Sequence, residues 1–256
     1  MKTTLLTPEK DPMGSAILDY HTRHKASKLR VLSSQFDEDE IPVKQLFRSK
    51  KNMPTLEKLA LKLAVGRVLD VGAGAGCHTL ALQDEKFDVC AIDISKLSVD
   101  VMAQRGVKNP RQVDLFDVSF DEKFDTILML MNGSGIIGKL NRMPQFFDRI
   151  KQLLNPNGFV LMDSSDLKYL FEDEDGSYEI DLLGDYYGEV DFQMQYNDIE
   201  GESFDWLYVD AQTLAYHAEA NGFDCEVLRQ GSHYDFLAKL SVKESLPTQI
   251  ERKKVL

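Results

Sequence analysis

The chain has 256 residues, enough for one large α/β domain or a domain with a cap, and its 43% hydrophobic and 28% charged content suits a soluble protein with a sizeable core. A net charge of −12, with no basic clusters beyond 48–51 and 252–254, argues against nucleic acid as a partner. No apolar run approaches the roughly eighteen residues of a membrane-spanning helix, and the first eight residues lack the apolar core of a secretory signal. Cys77, Cys90 and Cys225 show no metal-ligand spacing and fit reduced thiols in a cytoplasmic protein.

Residues 13–21 predict a short helix with Met13, Ile17 and Leu18 on one face and Tyr20 and His21 at its end. Residues 35–42 are acidic and loop-like. Pro54 opens a second helix in which Leu56, Leu59, Ala60 and Leu63 share a face, and Gly66 closes it. Residues 1–66 therefore read as an N-terminal helical cap.

At Val68, Leu69 and Val71 the pattern changes to a buried β-branched run, which stops at Gly72, Gly74 and Gly76 before the helical pattern Leu80–Ala81–Leu82. Such a strand–turn–helix unit lies at the carboxyl edge of an open α/β sheet, where ligands bind. The dinucleotide fingerprint needs a third glycine five residues after the first, and that position is Cys77. Asp70, two residues before the turn, would repel a pyrophosphate but suits a cationic amino-acid head, while free N–H groups at the helix start suit a carboxylate.

The stretch Asp70-Val-Gly-Ala-Gly-Ala-Gly76 resembles motif I of the class I S-adenosylmethionine-dependent methyltransferases. The resemblance implies that Asp70, Gly72, Ala73, Gly74 and Gly76 hold the methionine part of that cofactor. The next strand, 88–93, ends in Asp93, twenty-one residues after Gly72. The family uses this acid to accept the ribose hydroxyls, with Ile94 beside the adenine. After a third short strand comes Asp114, matching the acid that accepts from the adenine amino group, with Leu115 expected to pack on the ring.

The run 124–131 is almost wholly apolar, as a central strand buried on both faces should be. Its last residue, Met131, joins the expected cofactor contacts, because the family's segment beyond this strand faces the methyl group. Asn132 follows, but the prolines and tyrosine of the Asn-Pro-Pro-Tyr motif do not, which disfavours planar amides or adenine as acceptors. Residues 143–154 keep helical spacing, 155–158 stop the helix, and a fifth strand covers 159–163.

About forty-five residues then intervene where a short loop would suffice. Residues 171–175 form an acidic turn. Val190, Phe192, Met194 and Tyr196 alternate with polar residues, as do Phe204, Trp206 and Tyr208, around a turn at 197–201. This is a β-hairpin insertion, at 166–210, with one aromatic and apolar face, expected to wall the acceptor pocket. Asp210 caps a last helix that Gly222 stops, and the strands 224–229 and 234–242 resemble the family's closing antiparallel hairpin.

The expected fold is thus α/β: a doubly wound, Rossmann-like, seven-stranded sheet, mostly parallel, at 67–242, with the cap, the insertion and a polar tail at 243–256. The resemblance implies methyl transfer from S-adenosylmethionine, yielding S-adenosyl-L-homocysteine, to a small-molecule acceptor, cationic or aromatic. No residue is singled out as catalytic; Tyr20, His21, His233 and Tyr234 are the available groups. Metal-assisted transfer is disfavoured, since only Asp163 and Asp166 stand near the methyl-facing segment. A non-catalytic cofactor-binding module and an NAD(P)-dependent oxidoreductase are the alternatives.

Overall fold

The computed structural model describes residues 5–172, 177–178 and 184–243. The acidic turn at 171–175 and the tail at 243–256 lie largely outside them. The elements run α1 (Pro12–Arg23), β1 (Leu29–Leu32), β2 (Asp39–Ile41), α2 (Thr55–Leu63), β3 (Arg67–Val71), α3 (Cys77–Asp84), β4 (Asp88–Asp93), α4 (Lys96–Gln104), β5 (Pro110–Gln112), β6 (Phe124–Met129), α5 (Met143–Leu153), β7 (Leu154–Ser165), β8 (Glu189–Tyr196), β9 (Ile199–Glu200), β10 (Phe204–Leu207), α6 (Ala211–Ala220), β11 (Phe223–Gln230) and β12 (Asp235–Val242).

Seven strands form the main sheet in the order β11-β12-β7-β6-β3-β4-β5. Pairing is parallel from β7 through β5, while β12 runs antiparallel to β7 and β11 antiparallel to β12. The central strands alternate between two buried layers, because successive side chains point to opposite faces. Leu69, Ile127, Val160 and Leu240 pack with Phe146, Ile150 and Leu214 of α5 and α6. Val68, Leu128, Leu161 and Leu237 pack with Leu56, Ala60 and Leu61 of α2 and with Leu82 of α3. Helices thus cover both faces, as parallel strands with apolar runs require.

Three expectations are corrected. The 1–66 segment delivers its two helices but also two strands: β1 lies between β2 and β8, making one antiparallel sheet with the insertion. Part of the loop-like stretch 35–42 is therefore strand, and the insertion is no free-standing hairpin. On α2 the buried face is Leu56, Glu57, Ala60 and Leu61, with Leu63 exposed, so the helix is rotated from the apolar face read in sequence. The rotation brings Glu57 inward, where two cations meet it. Finally, β7 starts at Leu154 opposite Phe124, and the pairing resumes only at Phe159 opposite Thr126, so 155–158 form a bulge within the strand.

The second sheet bears on the first through α1. Leu29 and Tyr196 on its apolar face pack with Ala16 and Ile17 of α1, and these reach Ala75 in the glycine turn and Val101 in α4. Tyr196 is buried, and its hydroxyl donates to Asp19 at 2.9 Å while accepting the Ser27 N–H at 3.1 Å. At the start of α1, Asp11 caps the helix by accepting the Gly14 N–H at 2.8 Å and also takes the Ser95 hydroxyl. These bonds fix α1 across the carboxyl edge of the main sheet.

Candidate functional site

The turn after β3 is built by three glycines at positive φ: Gly72 (67°), Gly74 (55°) and Gly76 (80°). Positive φ costs glycine nothing, and it lets the Gly72 and Ala73 N–H groups both reach Ile92 O, at 2.9 and 3.1 Å. Space remains above the turn: a Cβ on Gly74 would meet nothing nearer than Ile17 Cδ1, 4.0 Å away on α1. The first turn of α3 follows directly, so its unpaired N–H groups sit beside that space.

Asp93 ends β4 next door. Its Oδ2 accepts the Gly74 N–H at 2.8 Å and its Oδ1 the Ser95 N–H at 2.9 Å. Each oxygen keeps a second lone pair for a hydroxyl donor. Burial pushes the carboxyl up to about 6, against the lowering effect of those two N–H bonds. Ile94 is half-buried, and its carbonyl accepts from the Leu6 N–H and from the Gln112 side chain at 3.0 Å each.

Beyond β5, Asp114 accepts the Phe116 N–H at 2.9 Å. Leu115 is 3% exposed and lies in the core with Ile92, its carbonyl accepting from Arg149 at 2.7 Å. Across the turn, after β6, Met131 and Asn132 both adopt positive φ, 69° and 57°. The Met131 and Gly133 N–H groups donate to Asp163 at 3.1 Å each.

Asp70 is placed differently from its neighbours. It is 2% exposed and accepts the Thr79 hydroxyl at 2.5 Å, underneath the turn. Burial raises its pKa, while His78 and the Thr79 bonds oppose the rise. His78 is itself buried, 2.8 Å from Glu57 Oε2, and Glu57 receives two bonds from Arg48, at 2.5 and 3.1 Å. Burial by itself would disfavour the imidazolium; the bonds to Cys77 and Glu57 and the charge of Asp70 carry the pKa upward instead. This Arg48–Glu57–His78 chain escaped the sequence reading. Its one signal was an acidic residue at helical spacing from Ala60 and Leu61.

The groups considered for proton transfer do not converge. Tyr20 and His21 rest on Phe47, with ring centroids 4.8 and 6.5 Å away. His233 and Tyr234 sit in the β11–β12 loop, Tyr234 stacked on Tyr169 at 4.9 Å. On the insertion, Trp206 covers the 3-10 turn Gly133–Ile137: a Cβ on Gly135 would fall 1.8 Å from the indole. Phe192, Phe204, Trp206 and Tyr208 form a connected aromatic group with centroid spacings of 6.0 to 6.3 Å. Burial pushes the Tyr208 phenol up to about 12, aided by Tyr169 and Asp39.

Residues 44–228 match the methyltransferase domain family. A solved structure of an S-adenosylmethionine-dependent methyltransferase from Bacteroides fragilis, in complex with S-adenosyl-L-homocysteine, is similar over 95% of this chain and 100% of its own, at 64% identity and a TM-score of 0.91. A putative methyltransferase of Bacillus subtilis, YqeM, is 23% identical over 145 residues, which are 47% of this chain and 58% of that protein. A cypemycin N-terminal methyltransferase from Streptomyces sp is 28% identical over 102 residues, 39% of this chain and 42% of its own. The chain spans about half the length of these curated relatives.

Proposed function

This chain belongs to the S-adenosylmethionine-dependent methyltransferases, and from that premise we propose that the three strand ends around Gly74 hold the cofactor and present its methyl group to a small-molecule acceptor under the insertion. The Gly74–Asp93 hydrogen bond carries the assignment, because it joins the bare backbone of the turn to a carboxylate with acceptor capacity to spare. Asp93 takes the ribose hydroxyls; Ile94 and Asp114 border the adenine, while Leu115, expected on the ring, is turned into the core beside Ile92; Gly72, Ala73, Gly74 and Gly76 line the methionine part, with Met131 near the sulfur. Asp70 acts from below the turn, as a buried negative charge beneath the amino group, since its carboxylate is enclosed and bonded to Thr79. Family membership speaks against the oxidoreductase, and turnover with an acceptor is what separates the enzyme from a non-catalytic cofactor-binding module.

Bound S-adenosylmethionine supplies a methyl group on an activated sulfonium, so the residues here bind, orient and exclude water. Ile17 on α1 packs with Ala75 and so lays an apolar side chain against the turn. Trp206 and Tyr208 wall the acceptor side, where a planar or cationic molecule can lie on aromatic faces. A cytoplasmic enzyme fits the unbridged Cys77, Cys90 and Cys225, and among the described residues no helix is long and apolar enough to cross a membrane.

The test of the acceptor side is kinetic. With an acceptor taken from a panel of small aromatic and amine compounds, Trp206→Ala or Tyr208→Ala should raise the acceptor KM at least about tenfold and leave cofactor affinity within about twofold. Equal effects on both constants would contradict it.

A further inference from the structure

The carboxyl end of β7 carries Asp163, Ser164 and Ser165 in succession, and each bonds to the segment that follows β6 or to a residue holding it. Asp163 accepts the Met131 N–H on Oδ2 and the Gly133 N–H on Oδ1, both at 3.1 Å. Ser165 donates to Asn132 Oδ1 at 2.8 Å. The Ser134 and Ser164 hydroxyls are 2.8 Å apart; Ser134 also reaches Leu207 O, and Ser164 accepts the Val209 N–H.

The segment so held is strained. Met131 and Asn132 are consecutive non-glycine residues at positive φ, a state kept only where the surroundings over-determine it, and such strain gathers at functional sites. Gly133 leaves no space for a side chain, since a Cβ there would lie 2.7 Å from Met129 Cβ. Met131 is 38% exposed despite its size, at the mouth of the sheet edge.

We propose that Asp163 is a positioning residue for methyl transfer: its ionised carboxylate holds the left-handed turn at Met131 and Asn132 against the place where the methyl group is presented. The role rests on the cofactor assignment made above. Only the carboxylate form offers a full acceptor to each N–H at once; protonation turns one oxygen into a hydroxyl, a poor acceptor. Burial pushes this carboxyl up to about 6 in spite of its two N–H bonds. The charged groups facing it are Glu57 on α2, which adds to the rise, and His78 on α3, which opposes it. The two N–H bonds pull this pKa down, so parting them while the carboxyl stays buried raises it further and protonation favours the parted turn; the turn is tight at neutral pH and loosens as the pH falls through about 6.

The test uses the full unliganded chain. Amide hydrogen exchange at Met131 and Gly133, corrected for intrinsic rates, is followed by NMR from pH 5 to 8. Calorimetric titrations with S-adenosylmethionine and with adenosine accompany it. Wild-type protection at both amides should fall at least about tenfold between pH 7 and pH 5, as expected when charge-assisted bonds are lost. Asp163→Asn should show the low protection at every pH and bind S-adenosylmethionine about tenfold more weakly, with adenosine affinity unchanged. The wild-type titration stands even if that variant does not fold. Protection that is flat with pH in the wild type overturns the proposal. So does loss of protection in Asp163→Asn with no change in S-adenosylmethionine affinity, which would leave Asp163 a purely structural role. A wild-type chain that binds neither ligand, or an Asp93→Ala variant that binds both normally, overturns the cofactor assignment first and this role with it.

Discussion

The Gly74 amide donates to Asp93 Oδ2 at 2.8 Å, which joins the turn after β3 to the acid that ends β4 and makes one unit of two sequence motifs nineteen residues apart. Any change of charge at Asp93 is therefore felt in the turn as well as at the ribose.

Cofactor affinity should depend on pH through Asp93. Its carboxyl is raised to about 6 by burial, and the ionised form is the one that can accept two hydroxyls. The expected outcome is constant S-adenosyl-L-homocysteine affinity above about pH 7 and a fall approaching tenfold per pH unit below about 6. Titration calorimetry in several buffers should also show proton release on binding in that range, because the hydroxyls favour the charged form.

Gly135→Ala should act through Trp206. The added methyl would fall inside the indole, so either the turn or the insertion must shift. Overpacking of this kind costs about 1–3 kcal/mol. A lowered urea midpoint should accompany a raised acceptor KM, with adenosine affinity unchanged; a variant with normal stability and acceptor KM would detach the insertion from the site.

Removing Glu57 should be costly. Its side chain is 7% exposed, that of His78 6% and that of Arg48 9%, so Glu57→Ala strips two buried cations of their shared carboxylate. Breaking a buried pair from one side costs about 3–5 kcal/mol. The sign of the pH dependence follows from both partners. Glu57 is held below its ordinary 4.5 by His78 and Arg48 against burial, so its contribution is full above 4.5 and is lost as pH falls through the folded value. His78 is raised above its ordinary 6.5, so its contribution is full below 6.5 and is lost as pH rises through the folded value. The urea-midpoint gap between wild type and Glu57→Ala should be widest between pH 4.5 and 6.5.

What was legible in the sequence was local and contiguous. The β3 run, the three glycines, and the acids ending β4 and following β5 are each set by neighbours within a few residues. The partners that escaped are distant. β1 is four residues long, and its Arg30 bonds to Gln195, 165 residues away, so no local pattern could reveal the pairing. Glu57 was hidden for the opposite reason: apolar periodicity assigns a charge to the solvent face, whereas here Arg48 and His78 draw it inward. Leu115 stands where the motif puts it but turns into the core beside Ile92, a direction that spacing does not encode. Asp163 acts on backbone N–H groups, which carry no side-chain signature.

The most direct test of the cofactor assignment is calorimetric titration of the wild-type chain and Asp93→Ala with S-adenosylmethionine and S-adenosyl-L-homocysteine. Micromolar binding of both, weakened at least about a hundredfold in a variant that keeps its fold, is the expected result. Undiminished binding by Asp93→Ala would contradict the assignment and move the cofactor away from the Gly74–Asp93 unit.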